Sequence, residues 1–388
     1  HPAEPKIWRV FIDREFTAKL RVIKKDATTG QTVLRPNAEF KIYNLDKKEY
    51  VKMYTTYPSK VEHISFFTDE AGGLILPETL KVGNYRIEEV KAPEGYILNT
   101  DYLTVKIDTD TAYETDPDTY EAIITVDYPD NPAVGKLIVE KKGELLNSYK
   151  GGLFASSEGK DFFYMEGSLA GAVFEVYAAE DIYTSDFQKD VNGERTKYYD
   201  KGELVATLTT GKDGKAILSD LPLGAYAVKE IKAPFGYVLN GEAQKVQFVY
   251  VDDRTPVIQE SLIFSNERQK VELSVKKQDT ETKLAIAGAV FGLYTDGDIV
   301  NADGKVIVTA GTLLETAVSD ENGVIAFKKD YPFGEYYAKE IEVPAGYVSS
   351  EETVIFEAGY QGQEIKAVRL EYAFLNTPTT FEFTKEDI

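Results

Sequence analysis

The sequence predicts an all-β protein, a tandem array of three Ig-like β-sandwich domains. Three observations lead there. Apolar residues fall in short runs with period-2 alternation, bounded by Gly, Asp and Pro, and no long amphipathic helical stretch interrupts them. Twenty-six Tyr and twenty Phe against two Met favour pleated, half-buried surfaces. One set of motifs occurs three times in the same order, so 388 residues divide into units that each build their own core.

The elements follow in order. Each unit opens on a V-x-K strand: "LRVIKKD", "LIVEKKG", "LSVKKQD". Next come "NAEFKIY", "GAVFEVY" and "GAVFGLY", then a polar Gly turn before an apolar strand, "TDEAGGLIL", "GKDGKAIL" and "SDENGVIAF". A further turn and strand run into a box: "EVKAPEGYILN" at 89–99, "EIKAPFGYVLN" at 230–240 and "EIEVPAGYVSS" at 340–350. Proline ends the box strand because it cannot donate to a ladder, and glycine permits the turn. A last strand reaches a polar stop in "ITVDYP", "LIFSNE" and "YAFLNTP". The repeats are therefore expected at 17–130, 131–268 and 269–380. "VFIDREFTAKLRV" (10–22) parallels "IFSNERQKVELSV" (263–275), so residues 1–16 read as the last strand of a preceding repeat or a tail. "FEFTKEDI" (381–388) reads as the start of a following repeat or a tail, with Lys385 an orphan lysine.

The middle repeat is longer. Lys141 and Glu230 are 89 positions apart, against 65 for Lys24 and Glu89 and 63 for Lys277 and Glu340. The excess lies in two insertions, 143–170 and 178–203, the first with an apolar-aromatic patch. Loops on a rigid scaffold often carry binding, and they also tolerate length.

Composition excludes several functions. A net charge of −21 argues against nucleic acid. No cysteine is present, which removes disulfides, thiol catalysis and cysteine metal sites. No apolar run is long enough to span a membrane. His63 is the only internal histidine, so no Ser-His-Asp triad or metal pair is built around it. "TDGDIVNADG" (295–304) and "DTDTAYETDPD" (108–118) lack EF-hand spacing and read as solvated loops. No metal or cofactor is expected, and a turnover enzyme is not.

Chemistry resides in three spaced positions. Strand alternation turns Lys24, Lys141 and Lys277 inward, beside Leu20 and Val22 in the first case, and their neighbours outward. The box glutamates are Glu89, Glu230 and Glu340. On the last strands stand Asp127, Asn266 and Asn376, which are 38, 36 and 36 positions further on. Asn131 is the rival of Asp127; "DYP" ends a strand as "NTP" does, which favours Asp127. Burying such groups is costly unless they are paired or react. A lysine in an apolar core can be a neutral amine, and a buried glutamate can stay protonated. The amine can then attack the carboxamide carbon while glutamate shuttles protons, releasing ammonia, or water from an aspartate. The plainer alternative is three ordinary sandwiches with surface lysines and a structural glutamate.

The E-x-x-x-P-x-G-Y box, the V-x-K strand and the terminal N-x-P together resemble the Cna protein B-type (SpaA-like, prealbumin-like fold) repeat domains of Gram-positive cell-surface adhesins and pilins. The resemblance covers about 17–380. It implies internal Lys–Asn or Lys–Asp isopeptide bonds assisted by the box glutamate: Lys24, Glu89 and Asp127; Lys141, Glu230 and Asn266; Lys277, Glu340 and Asn376. The usual K-x-D is "KKG" in the middle repeat, which departs from the pattern. "TTYPSK" (55–60) is a poor match to the lysine motif by which pilins polymerise. The expected role is a structural stalk of a cell-wall-anchored protein or pilin, outside the cell, cross-linking itself in a single turnover. Its partners would be neighbouring repeats of the same protein. The alternative is an adhesin region whose middle-repeat insertions bind a host matrix protein or glycoprotein.

Overall fold

A computed structural model describes residues 15–56, 58–150, 161–380 and 384. The terminal segments read above as repeat fragments, with Lys385, lie largely outside the described residues, as do 151–160 of the first insertion. Among the described residues every regular element is a strand.

Each repeat is two sheets facing one another across an apolar core. In the first, strand Thr17–Asp26 pairs in parallel with the last strand, Ala122–Asp130, and antiparallel with Gly73–Ile75. The opposing sheet runs through Glu39–Asn44, Gly83–Lys91 and Leu103–Ile107. The other repeats copy this plan: Val134–Lys150 lies parallel to Val257–Asn266, and Lys270–Asp279 parallel to Ala367–Asn376. Alternation on the first strands is strict, so Ala18, Leu20, Val22 and Lys24 all face the core. Parallel pairing has a mechanical consequence. The chain enters at one end of the first strand and leaves at the other end of the last, so tension shears this pair.

The middle repeat departs where its sequence does. Its first strand is 17 residues long, running past the core to Lys150, and forms a hairpin with Asp161–Ser168. Gly143 permits this. A Cβ there would lie 2.6 Å from Leu169 and 2.8 Å from the Tyr237 ring. The equivalent residues Asp26 and Asp279 instead stop their strands, accepting backbone N–H bonds from Thr28 and Thr29, and from Glu281 and Thr282. The "KKG" departure therefore marks a strand that runs on rather than a weakened lysine position.

Both insertions reach a neighbour. From the first, Phe162 is buried in the core of the third repeat, 6.3 Å from the Tyr331 ring. The Tyr164 hydroxyl donates to the Asp330 carbonyl at 3.0 Å, and the Arg268 guanidinium stacks on the Tyr164 ring at 3.7 Å. From the second, Asp186 accepts from Thr29 of the first repeat at 3.0 Å, and Gln188 donates to the Thr32 carbonyl at 2.6 Å. Phe187 is sandwiched between Arg35 of the first repeat and Arg195.

Candidate cross-linking sites

The box strands place their glutamates directly across from a phenylalanine: Glu89 opposite Phe40, Glu230 opposite Phe174 and Glu340 opposite Phe291. The ladder slips by one residue just beyond each pair, and the glutamate turns into the core. From the other sheet come the lysine and, two residues beyond its partner on the last strand, the acceptor. Lys277 pairs with Phe374, and Asp279 with Asn376. Lys141 pairs with Phe264, and Gly143 with Asn266.

The third and second sites share one geometry. The Lys277 ammonium lies 2.9 Å from Glu340 Oε1 and donates to Asn376 Oδ1. Asn376 Nδ2 faces both glutamate oxygens, at 3.1 and 2.9 Å. In the middle repeat Lys141 is 3.0 Å from Glu230 and donates to Asn266 Oδ1, while Asn266 Nδ2 donates to Glu230 at 3.1 Å. Both lysines are wholly buried. Burial pulls each below the usual lysine range against the pull of its glutamate, which favours the neutral amine. The carboxamide thus turns its oxygen to the lysine and its nitrogen, the group that must leave, to the glutamate.

The first site corrects the sequence reading. Asp127 is exposed; Ile124, Tyr128 and Asp130 face inward instead. Lys24 lies 2.6 Å from Glu89 and 2.5 Å from Asp130, whose residue is 1% exposed. Asn131 is exposed as well, so neither sequence candidate is the acceptor in this geometry. The error has a physical cause. Pro129 was read as a strand stop, yet it sits inside Ala122–Asp130. Its carbonyl points away from the first strand, to Asn99 Nδ2, so its missing N–H falls on the free edge, where proline is tolerated. The Asp130 carbonyl, pointing the other way, accepts from Ala27. A signal was present: Tyr-Pro-Asp at 128–130 aligns with Phe-Ser-Asn at 264–266 and Phe-Leu-Asn at 374–376, an aromatic two residues before each acceptor.

Those aromatics are the residues that sequence reasoning missed. Lys24 Nζ sits 5.5 Å from the Phe40 ring and 4.5 Å from Tyr128. Phe174 and Phe264 flank Lys141, and Phe291 and Phe374 flank Lys277. The cage excludes water and keeps the local dielectric low. In the first site it acts on two acids at once. Burial pushes Glu89 up to about 8, with Lys24 opposing and Asp130 adding to the rise. Burial also raises Asp130, again against Lys24. Burial thus favours the protonated form of both acids, with Lys24 opposing.

Residues 18–120, 165–259 and 271–371 match a family model, SpaA, described as a prealbumin-like fold domain. Fimbrial subunit type 2 of Actinomyces naeslundii is 27% identical over 194 residues, covering 46% of this chain and 33% of that protein. The trypsin-resistant surface T6 protein of Streptococcus pyogenes serotype M6 is 26% identical over 139 residues, 35% of this chain and 26% of that protein. Among solved structures, the Bacillus anthracis TIE protein superposes with a TM-score of 0.55 at 20% identity, over 93% of this chain and 51% of that one. The chain thus spans a third or less of the curated relatives it matches.

Proposed function

Since the chain belongs to the SpaA prealbumin-like fold domain family, we propose that it is a load-bearing segment of a Gram-positive surface protein of the pilin kind, working outside the cell. Each repeat would close one isopeptide bond on itself. The observation that carries this reading is the same buried lysine, glutamate and Asn or Asp, three times over, joining first strand to last. In repeats two and three the neutral Nζ attacks Cγ of Asn266 or Asn376. A proton passes through Glu230 or Glu340 to the departing nitrogen, and ammonia leaves as the amide forms. In the first repeat Lys24 attacks Cγ of protonated Asp130, with Glu89 as the relay, and water leaves. Each protein molecule reacts once per site, so this is self-modification rather than turnover.

Such a bond bypasses the sheared strand pair. Tension entering at Thr17 would cross at Lys24 and leave at Asp130, so the chain between them carries no load. By analogy with disulfides, closing a loop of ~100 residues adds about 4–5 kcal/mol. The adhesive alternative would draw on the middle-repeat insertions. Among the described residues of these insertions, Phe162, Tyr164 and Phe187 are engaged with neighbouring repeats, while Phe163 and Met165 stay exposed.

High-resolution mass measurement of the denatured chain tests the proposal. Two ammonias and one water lost make the protein about 52 Da lighter than its sequence mass. A full sequence mass would sink the covalent reading in every repeat.

A further inference from the structure

The box does more than hold a glutamate. At the first junction Asp253, in a loop of the middle repeat, accepts two backbone N–H groups of the first box: Ala92 through its side chain at 3.3 Å and Leu98 through its carbonyl at 2.8 Å. At the second junction Gln363, in the equivalent loop of the third repeat, does the same. Its side chain takes Ala233 N–H at 2.9 Å and its carbonyl takes Leu239 N–H at 2.9 Å. Ala92 and Ala233 each precede the box proline; Leu98 and Leu239 each follow it by five. Three residues before each acceptor stands a tyrosine that also touches the box. Tyr250 donates to the Tyr96 carbonyl at 3.1 Å, and Tyr360 lies against Phe235 at 4.8 Å. Two junctions thus share one socket, the Pro-x-Gly-Tyr turn, and one plug, Tyr-x-x-Asp/Gln.

The third box has the socket without a plug. Val343 and Ser349 hold the equivalent positions, and neither backbone N–H has a partner among the described residues. Exposure follows suit. Ala92, Tyr96, Ala233 and Tyr237 are buried, whereas Val348 is half exposed and Val343 and Tyr347 are only partly covered. Otherwise the third turn is built like the others. Its linker runs back along the box, Thr379 N–H to the Gly346 carbonyl, as Ala133 does to Gly95 and Gln269 to Gly236. The box glycines share a positive φ of 95°, 88° and 92°, which holds every turn in one shape.

We infer that the turn at 343–349 is a docking socket for a further repeat of the same type, seated through a Tyr-x-x-Asp/Gln plug. A second copy of this chain does not suit it. Both plugs present are taken within the chain, and the first repeat reads Thr109-Asp110-Thr111-Ala112 at that place. The inference does not rest on the isopeptide bonds: a chain with no cross-link would still show it.

Amide hydrogen exchange tests it, first on the protein as it is. Ala92, Leu98, Ala233 and Leu239 should be protected, and Val343 and Ser349 should exchange at least about tenfold faster. Protection of the last two in the unextended monomer would overturn the inference, and so would protection that grows with protein concentration, which would hand the socket to a second copy. The chain is then extended after Thr379 by a copy of residues 270–380 or, separately, of 134–268, whose own strand amides report folding. Val343 and Ser349 should become protected in the extended chain. Gln363→Ala in the added 270–380 copy should release Val343 again. A folded extension that leaves both amides unprotected refutes the socket. In the original chain, Asp253→Ala should speed exchange at Ala92, with no effect at Ala233; equal exchange at Ala92 before and after would remove the plug's role.

Discussion

The first and third repeats put the same strands, the same glutamate and an aromatic pair at the same two positions around their lysines, yet they offer those lysines different partners. Asn376 is neutral, so only the amine of Lys277 needs to lose a proton before attack, and burial already favours that loss. Asp130 is an acid beside a second acid, and the three groups of the first site share one proton supply. The comparison separates two contributions. The fold fixes which atoms meet, and the acceptor sets the conditions under which they can react.

Removing the lysine gives the largest expected difference. Lys277→Met leaves a carboxamide and one glutamate, and should cost the third repeat the cross-link, about 4–5 kcal/mol. Lys24→Met loses the same link and also leaves Glu89 and Asp130 facing each other without a cation. In the closed wild-type repeat Asp130 is part of the amide, so the variant carries one more buried carboxyl without a partner, which adds about 3 kcal/mol or more at neutral pH. Calorimetry should therefore show the first repeat of Lys24→Met melting below the third repeat of Lys277→Met at pH 7. The gap should narrow in acid, where both carboxyls are protonated. Equal losses at both pH values would break the comparison.

The acceptor sharpens it next. Glu89 is raised by burial from its ordinary value to about 8. Before the bond forms, protonated Glu89 thus supports the fold fully below its unfolded value, and that support is lost as pH rises through about 8. The relay proton is lost over the same range. In freshly translated chain, closure of Lys24 onto Asp130 should slow several-fold between about pH 7 and pH 9. Asp130→Asn should lift part of that dependence, since the acceptor no longer needs a proton. Its linked product is chemically identical to the wild-type amide, so the two closed proteins have the same mass. Asp127→Asn should shift the mass by about 1 Da and leave closure untouched. Time-resolved mass spectrometry of the linked peptides reads all three; dependence of closure on Asp127 would reverse the assignment.

Much of this was legible in the sequence because both periodicities are strict. Alternation alone placed Lys24, Lys141 and Lys277 in the core, and the repeated box located all three glutamates. Asp130 was missed because proline was weighed as a strand terminator, and only the topology shows that Pro129 lies with its nitrogen on a free edge. The caging aromatics were not singled out, because a role beside lysine depends on which strands face one another. The insertions were least legible. An aromatic patch reads equally as a ligand surface or a domain contact until Phe162 is seen in another repeat's core.

The smallest predicted effect concerns the box tyrosines. Tyr96 is fully buried and donates its hydroxyl to Asp26 at 2.7 Å; Asp26 is itself fully buried. Tyr347 lies beside Asp279 at the corresponding place, on a turn that remains partly open. Tyr96→Phe removes one of three donors from a buried carboxylate, and water cannot easily replace it. The first repeat should lose about 1.5–3 kcal/mol. Tyr347→Phe leaves Asp279 its two backbone donors and a path to solvent, so its cost should stay below about 1 kcal/mol. Domain-resolved denaturation compares them. The difference arises from what covers the turn, because Tyr96 also accepts from Tyr250 of the next repeat. Adding a repeat after the third should therefore raise the cost of Tyr347→Phe towards that of Tyr96→Phe. If the two substitutions already cost the same in the original chain, burial by the following repeat is not what distinguishes them.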